Sequence, residues 1–325
     1  PRHAGRYQPL WSVQLVPCAV DRVLVGELAS AGESTDTERA PAGRTAAAEI
    51  TSDRVAKEGC SRDADHRECT TYPRYPAQVS THLIGGGRDE AQWPALYTTF
   101  LHEATDRGRT HGCAVPTIAV VVVHAGDDES AGGEAVARFT AAVSGRGPAN
   151  VRPLIVVEGG QLHPSGLHGL DAVLVAGGLT PAYAHALQPV MAEIVALVKG
   201  GIPYLGFSAG AAIAARRAII GGYLQNGIAI CHEDNAEDLD ELTVVDGLGL
   251  VDFTVDVHAA QWGNATRLMA AVQTGAVERG VAVDENTLLL VDTDSTTQRV
   301  AGAGRLWWVS RQGHDLVVRL EGTGL

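Results

Sequence analysis

The pattern of apolar and polar residues along the chain changes near residue 79. Residues 1–78 are rich in Arg, Asp, Glu, Thr, Ser and Pro and show no sustained helical or strand period, which predicts a poorly ordered, non-catalytic extension. From Val79 onward, short apolar runs alternate with amphipathic segments, and residues 79–325 are predicted to form the folded domain. Buried strands are predicted at 81–84, 117–124, 151–158, 171–176 and 202–206.

Segments with helical spacing lie between these strands, and the alternation of strands and helices determines the predicted fold class. Helices are predicted at 93–107, 133–143 and 209–217, with one long helix at 180–199. Apolar strands that alternate with amphipathic helices predict an α/β fold of three layers, in which a doubly wound, mostly parallel sheet has helices on both faces.

The second half of the chain is less regular. An acidic connection at 221–246 is either a lid over a site or a solvated surface, and the sequence leaves both open. Further strands are predicted at 251–258 and, as two short strands around a polar turn, within 281–291. A C-terminal β-hairpin is predicted from 304–310 and 315–320.

The segment Gly206-Phe207-Ser208-Ala209-Gly210 has the layout of a nucleophile elbow. It follows a predicted buried strand and leads into an Ala-rich segment, so the serine stands on a sharp strand-to-helix turn. Glycines suit this turn because side chains at the flanking positions would clash. The pattern alone is weak, and the strand-turn-helix setting strengthens it.

A serine nucleophile needs a base within hydrogen-bond reach, and the base needs an orienting acceptor. Of the twelve histidines, His258 is the best placed because it closes a predicted strand. For the acid, Glu285 lies in a turn at another strand end, and Asp284, Asp246 and Asp256 are competitors that the sequence does not exclude.

An acyl-transfer intermediate also needs preformed backbone N–H donors for its oxyanion. Ala209, the residue after the serine, offers one donor. Gly177-Gly178 follows another predicted strand and is a second candidate, although a plain glycine turn explains the pair equally well.

Taken together, these pieces resemble the cyanophycinase / aspartyl dipeptidase (peptidase E) family of serine peptidases over residues 79–325. The segments that carry the resemblance are Leu83-Ile84-Gly85-Gly86-Gly87, Ala176-Gly177-Gly178-Leu179-Thr180, Gly206-Phe207-Ser208-Ala209-Gly210-Ala211, Asp246-Gly247-Leu248-Gly249-Leu250 with Asp256-Val257-His258, and Val283-Asp284-Glu285-Asn286-Thr287. The resemblance implies the class I glutamine-amidotransferase-like fold, which is flavodoxin-like, and a catalytic triad of Ser208, His258 and Glu285. It further implies oxyanion donors at Gly178 and Ala209. Substrate contacts are predicted at Gly177, Thr180, Asp256 and Gln261, and the expected mechanism requires no metal or organic cofactor.

Two departures from the family pattern bear on the substrate. Where cyanophycinases carry a Gln-Arg-Gly-Arg type segment after the histidine, this chain has Gln261-Trp262-Gly263-Asn264. Leu179-Thr180 stands where those enzymes carry Asp-Gln. We therefore expect peptidase-type chemistry on a small peptide or amide other than cyanophycin.

Composition narrows the classes of partner that the protein is expected to bind. A net charge of −13 disfavours nucleic acid and anionic membranes, and no apolar run has the length of a membrane span. Five scattered cysteines predict free thiols in a reducing, cytoplasmic compartment, with a Cys60–Cys69 bridge as the alternative. A metal site around His232 in Cys231-His232-Glu233-Asp234 is not expected, because consecutive side chains cannot all face one ion. The family resemblance is compatible with a homodimer.

The sequence thus predicts a serine peptidase-type hydrolase that works through an acyl-enzyme. An esterase or acyltransferase that uses the same serine is one alternative, and an inactive binding or regulatory family member is the other. Because the family-like part opens at Val79-Ser80, one hypothesis places the biological start of the protein there.

Overall fold

The computed structural model describes residues 79–126, 129–292 and 298–323. The predicted extension over 1–78 and the alternative Cys60–Cys69 bridge lie outside the described residues. The strands, in chain order, are β1 (Ser80–Ile84), β2 (Thr117–His124), β3 (Asn150–Val157), β4 (Ala172–Val175), β5 (Tyr204–Phe207), β6 (Arg217–Gly221), β7 (Leu224–Gln225), β8 (Ile228–Ala229), β9 (Thr243–Asp246), β10 (Thr254–Val257), β11 (Arg279–Val283), β12 (Thr287–Asp292), β13 (Gln298–Gly302), β14 (Arg305–Gln312) and β15 (Asp315–Gly322). The α-helices are α1 (Trp93–Thr110), α2 (Glu129–Ser144), α3 (Thr180–Leu187), α4 (Met191–Lys199), α5 (Ala209–Ala212) and α6 (Ala265–Thr274).

A seven-stranded sheet forms the centre of the domain, in the order β13-β12-β1-β5-β4-β2-β3. Strands β1, β5, β4, β2 and β3 run parallel to one another. On the other side of β1, β12 pairs antiparallel with β1, and β13 pairs antiparallel with β12. Helices cover the sheet, and therefore the inner strands bury consecutive apolar residues rather than every second one. In β2, six consecutive residues between Thr117 and His124 are buried. The predicted mostly parallel α/β fold is confirmed.

A second sheet of four strands, in the order β10-β11-β14-β15, packs beside α6. β10 and β11 are parallel, and β14 and β15 form the predicted C-terminal hairpin, with Gln312 opposite Asp315. The two strands predicted within 281–291 exist as β11 and β12, but they belong to different sheets. Residues 284–286 therefore connect the two sheets.

Two predicted helices are shorter than expected. The single helix at 180–199 is divided into α3 and α4 by a 3-10 turn at Gln188–Val190, because Pro189 has no N–H and its ring disfavours a continuous helix. The helix predicted at 209–217 is a single turn, α5, after which the chain enters β6 at Arg217. Strands β6, β7, β8, β9 and β13 and helix α6 were not predicted.

None of the helices in the described part of the chain combines the length and apolar character that crossing a membrane requires.

Candidate active site

Ser208 follows β5 on a strained turn at the carboxyl end of the central sheet. Its φ of 50° and ψ of −110° are unfavourable for a residue with a side chain, and its N–H donates to the Ile84 carbonyl at 2.9 Å. A Cβ at Gly206 would overlap the Gly210 carbonyl, and a Cβ at Gly210 would overlap the Val175 carbonyl. Close backbone approach therefore requires both glycines of the Gly-x-Ser-x-Gly segment.

Ser208, His258 and Glu285 form a continuous hydrogen-bonded chain. Ser208 Oγ lies 2.8 Å from His258 Nε2, and His258 Nδ1 lies 2.7 Å from Glu285 Oε1. A neutral imidazole whose Nδ1–H donates to the carboxylate leaves Nε2 free to accept the serine proton. This is the donor and acceptor pattern that a serine nucleophile with a general base requires.

The three side chains come from two different sheets. Ser208 follows β5 of the central sheet, whereas His258 follows β10 and Glu285 follows β11 of the four-stranded sheet. Since β10 and β11 are parallel, their carboxyl ends lie together and bring the base and the acid to one place.

Burial and Glu285 act on His258 in opposite directions. Its imidazole is buried, and this desolvation lowers the pKa of His258 below its ordinary value of 6.5. The hydrogen bond and charge of Glu285 raise the pKa of His258 and offset part of this effect. The imidazole of His258 is therefore neutral at neutral pH.

The structure places the competing carboxylates elsewhere. Asp284 is buried, and its carboxylate accepts from Ala260 N, Arg305 N and Trp307 Nε1. Asp246 is exposed and pairs with an arginine at the surface. Among the three carboxylates that competed with Glu285 in the sequence, none forms a hydrogen bond or ion pair with His258 in the described structure.

The three glycines after β1 pack against the segments that carry His258 and Glu285. A Cβ at Gly85 would overlap the carbonyl of Asp284, and a Cβ at Gly86 would overlap the His258 ring. The Gly85 carbonyl accepts from His258 N at 3.0 Å, and the Gly86 carbonyl accepts from Asn286 N at 2.8 Å. The glycines therefore let both segments approach the β1 end at backbone distance.

The predicted oxyanion donors lie beside the serine. Gly177 is in direct contact with Ser208, since a Cβ there would come within 2.8 Å of Ser208 Cβ. Gly177, Gly178 and Ser208 line the same cleft. Within the described residues, neither Gly178 N–H nor Ala209 N–H donates a hydrogen bond, so neither group is committed to another acceptor.

A cleft of about 960 Å³ opens above these residues. The acidic connection predicted as a lid or a solvated surface forms part of its wall, through residues 233–240. Arg88 and Arg138 also line the cleft, and neither guanidinium has a carboxylate within ion-pair distance among the described residues. Burial and the neighbouring Arg88 lower the pKa of Arg138. The cleft therefore carries both acidic groups and unpaired cationic groups.

Three of the predicted substrate contacts do not line this cleft. Asp256 is buried in a bidentate ion pair with Arg267, with distances of 2.7 and 3.0 Å, so its carboxylate is not available to a substrate. Thr180 is buried, and its N–H donates to Glu237. Gln261 instead contacts the segment that carries Glu285, since its Oε1 accepts from Glu285 N at 2.9 Å.

Sequence reasoning did not single out Arg88 or Arg138, and it noted Trp262 only as a departure from the family. The position of Arg88 directly after the glycines of β1 was a usable indication, since loops at carboxyl strand ends carry ligands. Arg138 lies within α2, where its sequence context gives no such indication.

No group of three or more His, Cys, Asp or Glu side chains in the described part of the chain could hold a metal ion. His232 is exposed and contacts Asp234. Cys113 and Cys231 are free thiols, as predicted.

Comparisons with known proteins agree with the predicted family. Residues 164–299 match the model of Peptidase family S51, and this range contains Ser208, His258 and Glu285. The fold is similar to that of a peptidase from an acI-B1 Actinobacterium, with a TM-score of 0.55 and 15% identity over 76% of this chain and 96% of that chain. A putative peptidase E protein from Listeria monocytogenes EGD-e aligns with a TM-score of 0.43 and 17% identity, over 70% of this chain and 100% of that chain. No curated protein matches the chain.

The TM-score of the actinobacterial peptidase is evidence for the shared fold alone, and the family match is confined to residues 164–299. The resemblance to the peptidase E family that the sequence indicated is therefore confirmed over this part of the chain.

Proposed function

We propose that this protein is a serine-type hydrolase that cleaves a small peptide or amide through Ser208, His258 and Glu285. The observation that carries the proposal is the hydrogen-bonded chain from Ser208 Oγ to Glu285 Oε1, at 2.8 and 2.7 Å. The match of residues 164–299 to a peptidase family supports hydrolysis of a peptide-type bond.

In the proposed mechanism, His258 Nε2 takes the proton of Ser208 Oγ while the oxygen attacks the amide carbonyl. The tetrahedral oxyanion is stabilised by the N–H groups of Gly178 and Ala209. His258 then gives its proton to the leaving amine as the C–N bond breaks, which leaves an acyl group on Ser208. Water, activated by His258, hydrolyses that ester, and Glu285 remains ionised to stabilise the imidazolium throughout.

The cleft supports a small substrate. Its volume of about 960 Å³ is within the range of sites for small ligands. Burial of Ser208, which is 9% exposed, favours a compact group at the reacting carbon over a folded protein chain.

The test compares reactivity with turnover. Wild-type protein is incubated with a fluorophosphonate reagent and then with paired amide and ester substrates of the same acyl group. We expect covalent labelling of Ser208, hydrolysis of both substrates, and loss of both activities in Ser208→Ala. Ser144→Ala, at an exposed position at the end of α2, is the matched control and should behave as wild type.

Two outcomes would contradict the proposal. Hydrolysis of esters without amides would favour an esterase or acyltransferase. A folded wild-type protein that does not label would favour an inactive binding or regulatory member of the family.

A further inference from the structure

The indole of Trp262 lies face to face on the imidazole of His258. The two ring centroids are 3.9 Å apart and the ring planes differ by 9°. Trp262 is nevertheless 44% exposed, so one side of the indole covers the base while the rest borders open space. An exposed tryptophan in van der Waals contact with a buried histidine is not explained by burial of the indole alone.

Backbone hydrogen bonds fix Trp262 on both sides. Its N–H donates to the His258 carbonyl at 3.0 Å, which closes the turn between the two residues. Its carbonyl accepts from Asn235 Nδ2. Asn235 is buried in the acidic segment that lines the cleft, and its carbonyl accepts from Arg267 Nη1 at 2.8 Å.

This chain of contacts ends at the buried ion pair between Arg267 and Asp256. Arg267 and Asp256 form the buried bidentate ion pair, and a pair of this kind holds its geometry because either charge alone would be costly to bury. The position of the indole is therefore coupled to a fixed point in the four-stranded sheet as well as to the cleft wall.

The imidazole needs such support. His258 has a φ of 53°, a conformation that a residue with a side chain adopts only when its surroundings impose it. Ser208 and Glu285 contact the two ring nitrogens, and Gly86 packs against Cε1 between them. Trp262 covers a ring face, so it opposes rotation of the ring out of the plane in which both hydrogen bonds are made.

We propose that Trp262 is a positioning residue for His258, and that Asn235 holds Trp262 in place. This inference rests on the proposed function where it concerns catalysis. Loss of the indole should let water reach the imidazole and let the ring leave its orientation toward Ser208. The effect should fall on the rate of the chemical step more than on substrate binding, because Trp262 acts through the base.

The first test measures the second-order rate constant of fluorophosphonate labelling in Trp262→Ala, Trp262→Phe and Asn235→Ala. We expect about a tenfold decrease for Trp262→Ala, the size that follows from loss of an aromatic pair and its exclusion of water. Trp262→Phe should keep at least half of the wild-type rate, and Asn235→Ala should lie between the two. Trp308→Phe is the control, since Trp308 lies in β14, packs against Phe253 and does not line the cleft.

The same variants are assayed for turnover of the smallest hydrolysed amide. Trp262→Ala should lower kcat about tenfold and leave KM within twofold of wild type. Labelling and kcat equal to wild type in Trp262→Ala, or no recovery in Trp262→Phe, would overturn the inference.

A second test does not depend on activity. The difference in fluorescence emission between wild type and Trp262→Phe is the emission of Trp262. Contact with a protonated imidazole quenches the fluorescence of an indole. We expect this difference to decrease as the pH is lowered through the titration of His258, with a midpoint below 6.5, and the step to disappear in His258→Gln. The charged groups that act on this imidazole are Glu285, Asp256 and Arg267.

The two tests separate failure of the inference from failure of the proposed function. Absence of a step that depends on His258 would overturn the positioning contact even if the wild-type protein labels. A clear step in a wild-type protein that does not label would uphold the contact and contradict the proposed function.

Discussion

Replacement of Glu285 by glutamine tests the assignment of the acid most sharply. The carboxylate accepts a 2.7 Å hydrogen bond from His258 Nδ1, and the side chain is 23% exposed, so solvent screens it only in part. The amide has no charge to stabilise the imidazolium and can present an N–H to Nδ1, which favours the wrong tautomer. Loss of this function in a serine triad lowers kcat by up to about 10⁴-fold. We expect kcat to fall about 10³- to 10⁴-fold, which corresponds to about 4–5.5 kcal/mol of transition-state stabilisation.

The pH profile gives a second, independent readout for Glu285→Gln. The hydrogen bond and charge of Glu285 raise the pKa of His258 against the effect of burial. Without them, the pKa of His258 should be lower still. Because the neutral imidazole is the active form, the acid limb of kcat/KM should move to lower pH in the residual activity of the variant.

Asp284→Asn is the matched control because the residue is adjacent and also acidic. Its carboxylate accepts from Ala260 N, Arg305 N and Trp307 Nε1, and an asparagine can satisfy only part of this set. Loss of one buried acceptor costs about 1–3 kcal/mol, which corresponds to a decrease in Tm of roughly 3–10 °C for a domain of this size. Asp284→Asn should therefore lose stability and keep activity per folded molecule, whereas Glu285→Gln should do the reverse. Equal kcat in wild type and Glu285→Gln would refute the assignment.

Three further changes test other parts of the structure. Gly206→Ala places a Cβ against the Gly210 carbonyl and should lower the free energy of unfolding by about 3 kcal/mol in urea titrations, and a stable variant would contradict the packing described. Arg138→Leu should abolish a preference of about tenfold for amides that carry a carboxylate over neutral isosteres, because Arg138 and Arg88 line the cleft without a carboxylate partner in the described residues. An equal rate for both substrates in wild type would argue against carboxylate binding by these arginines. Asp256→Asn should destabilise the domain by about 3–5 kcal/mol in thermal or urea unfolding, since it leaves its arginine partner buried and unpaired. An unchanged unfolding midpoint would contradict that role.

The parallel half of the fold could be predicted because its pattern is local. Strands buried on both faces read as continuous apolar runs, and β2 was predicted with the bounds that the structure gives, Thr117–His124. The elbow was equally accessible, because Gly206 and Gly210 are required by backbone contacts within a few residues of Ser208.

The two interruptions of predicted helices have causes that apolar periodicity does not include. The apolar spacing over 180–199 continues across Pro189, and the proline determined the break between α3 and α4. After α5 the chain contains alanine at several positions, which favours a helix by propensity, but pairing of β6 with β9 takes Arg217 into a strand.

The remaining differences are tertiary. Strands β11 and β12 are separated by three residues and belong to different sheets, which depends on partners far along the chain. Asp256 and Glu285 both lie near strand ends in the sequence, which does not distinguish their roles. Only the structure shows that the Asp256 carboxylate is buried in an ion pair with Arg267. Trp262 has no sequence pattern that connects it with His258, because the contact depends on a turn whose geometry the sequence does not reveal.

The central claim is that Ser208 is a nucleophile activated by His258. Its most direct test is mass spectrometry of the fluorophosphonate-treated protein, digested so that the modified residue is identified, for wild type, Ser208→Ala and His258→Gln. The account predicts one adduct on Ser208 in wild type, none in Ser208→Ala, and a labelling rate at least about 10³-fold lower in His258→Gln. An adduct on another serine, or a His258→Gln variant that labels as fast as wild type, would contradict it.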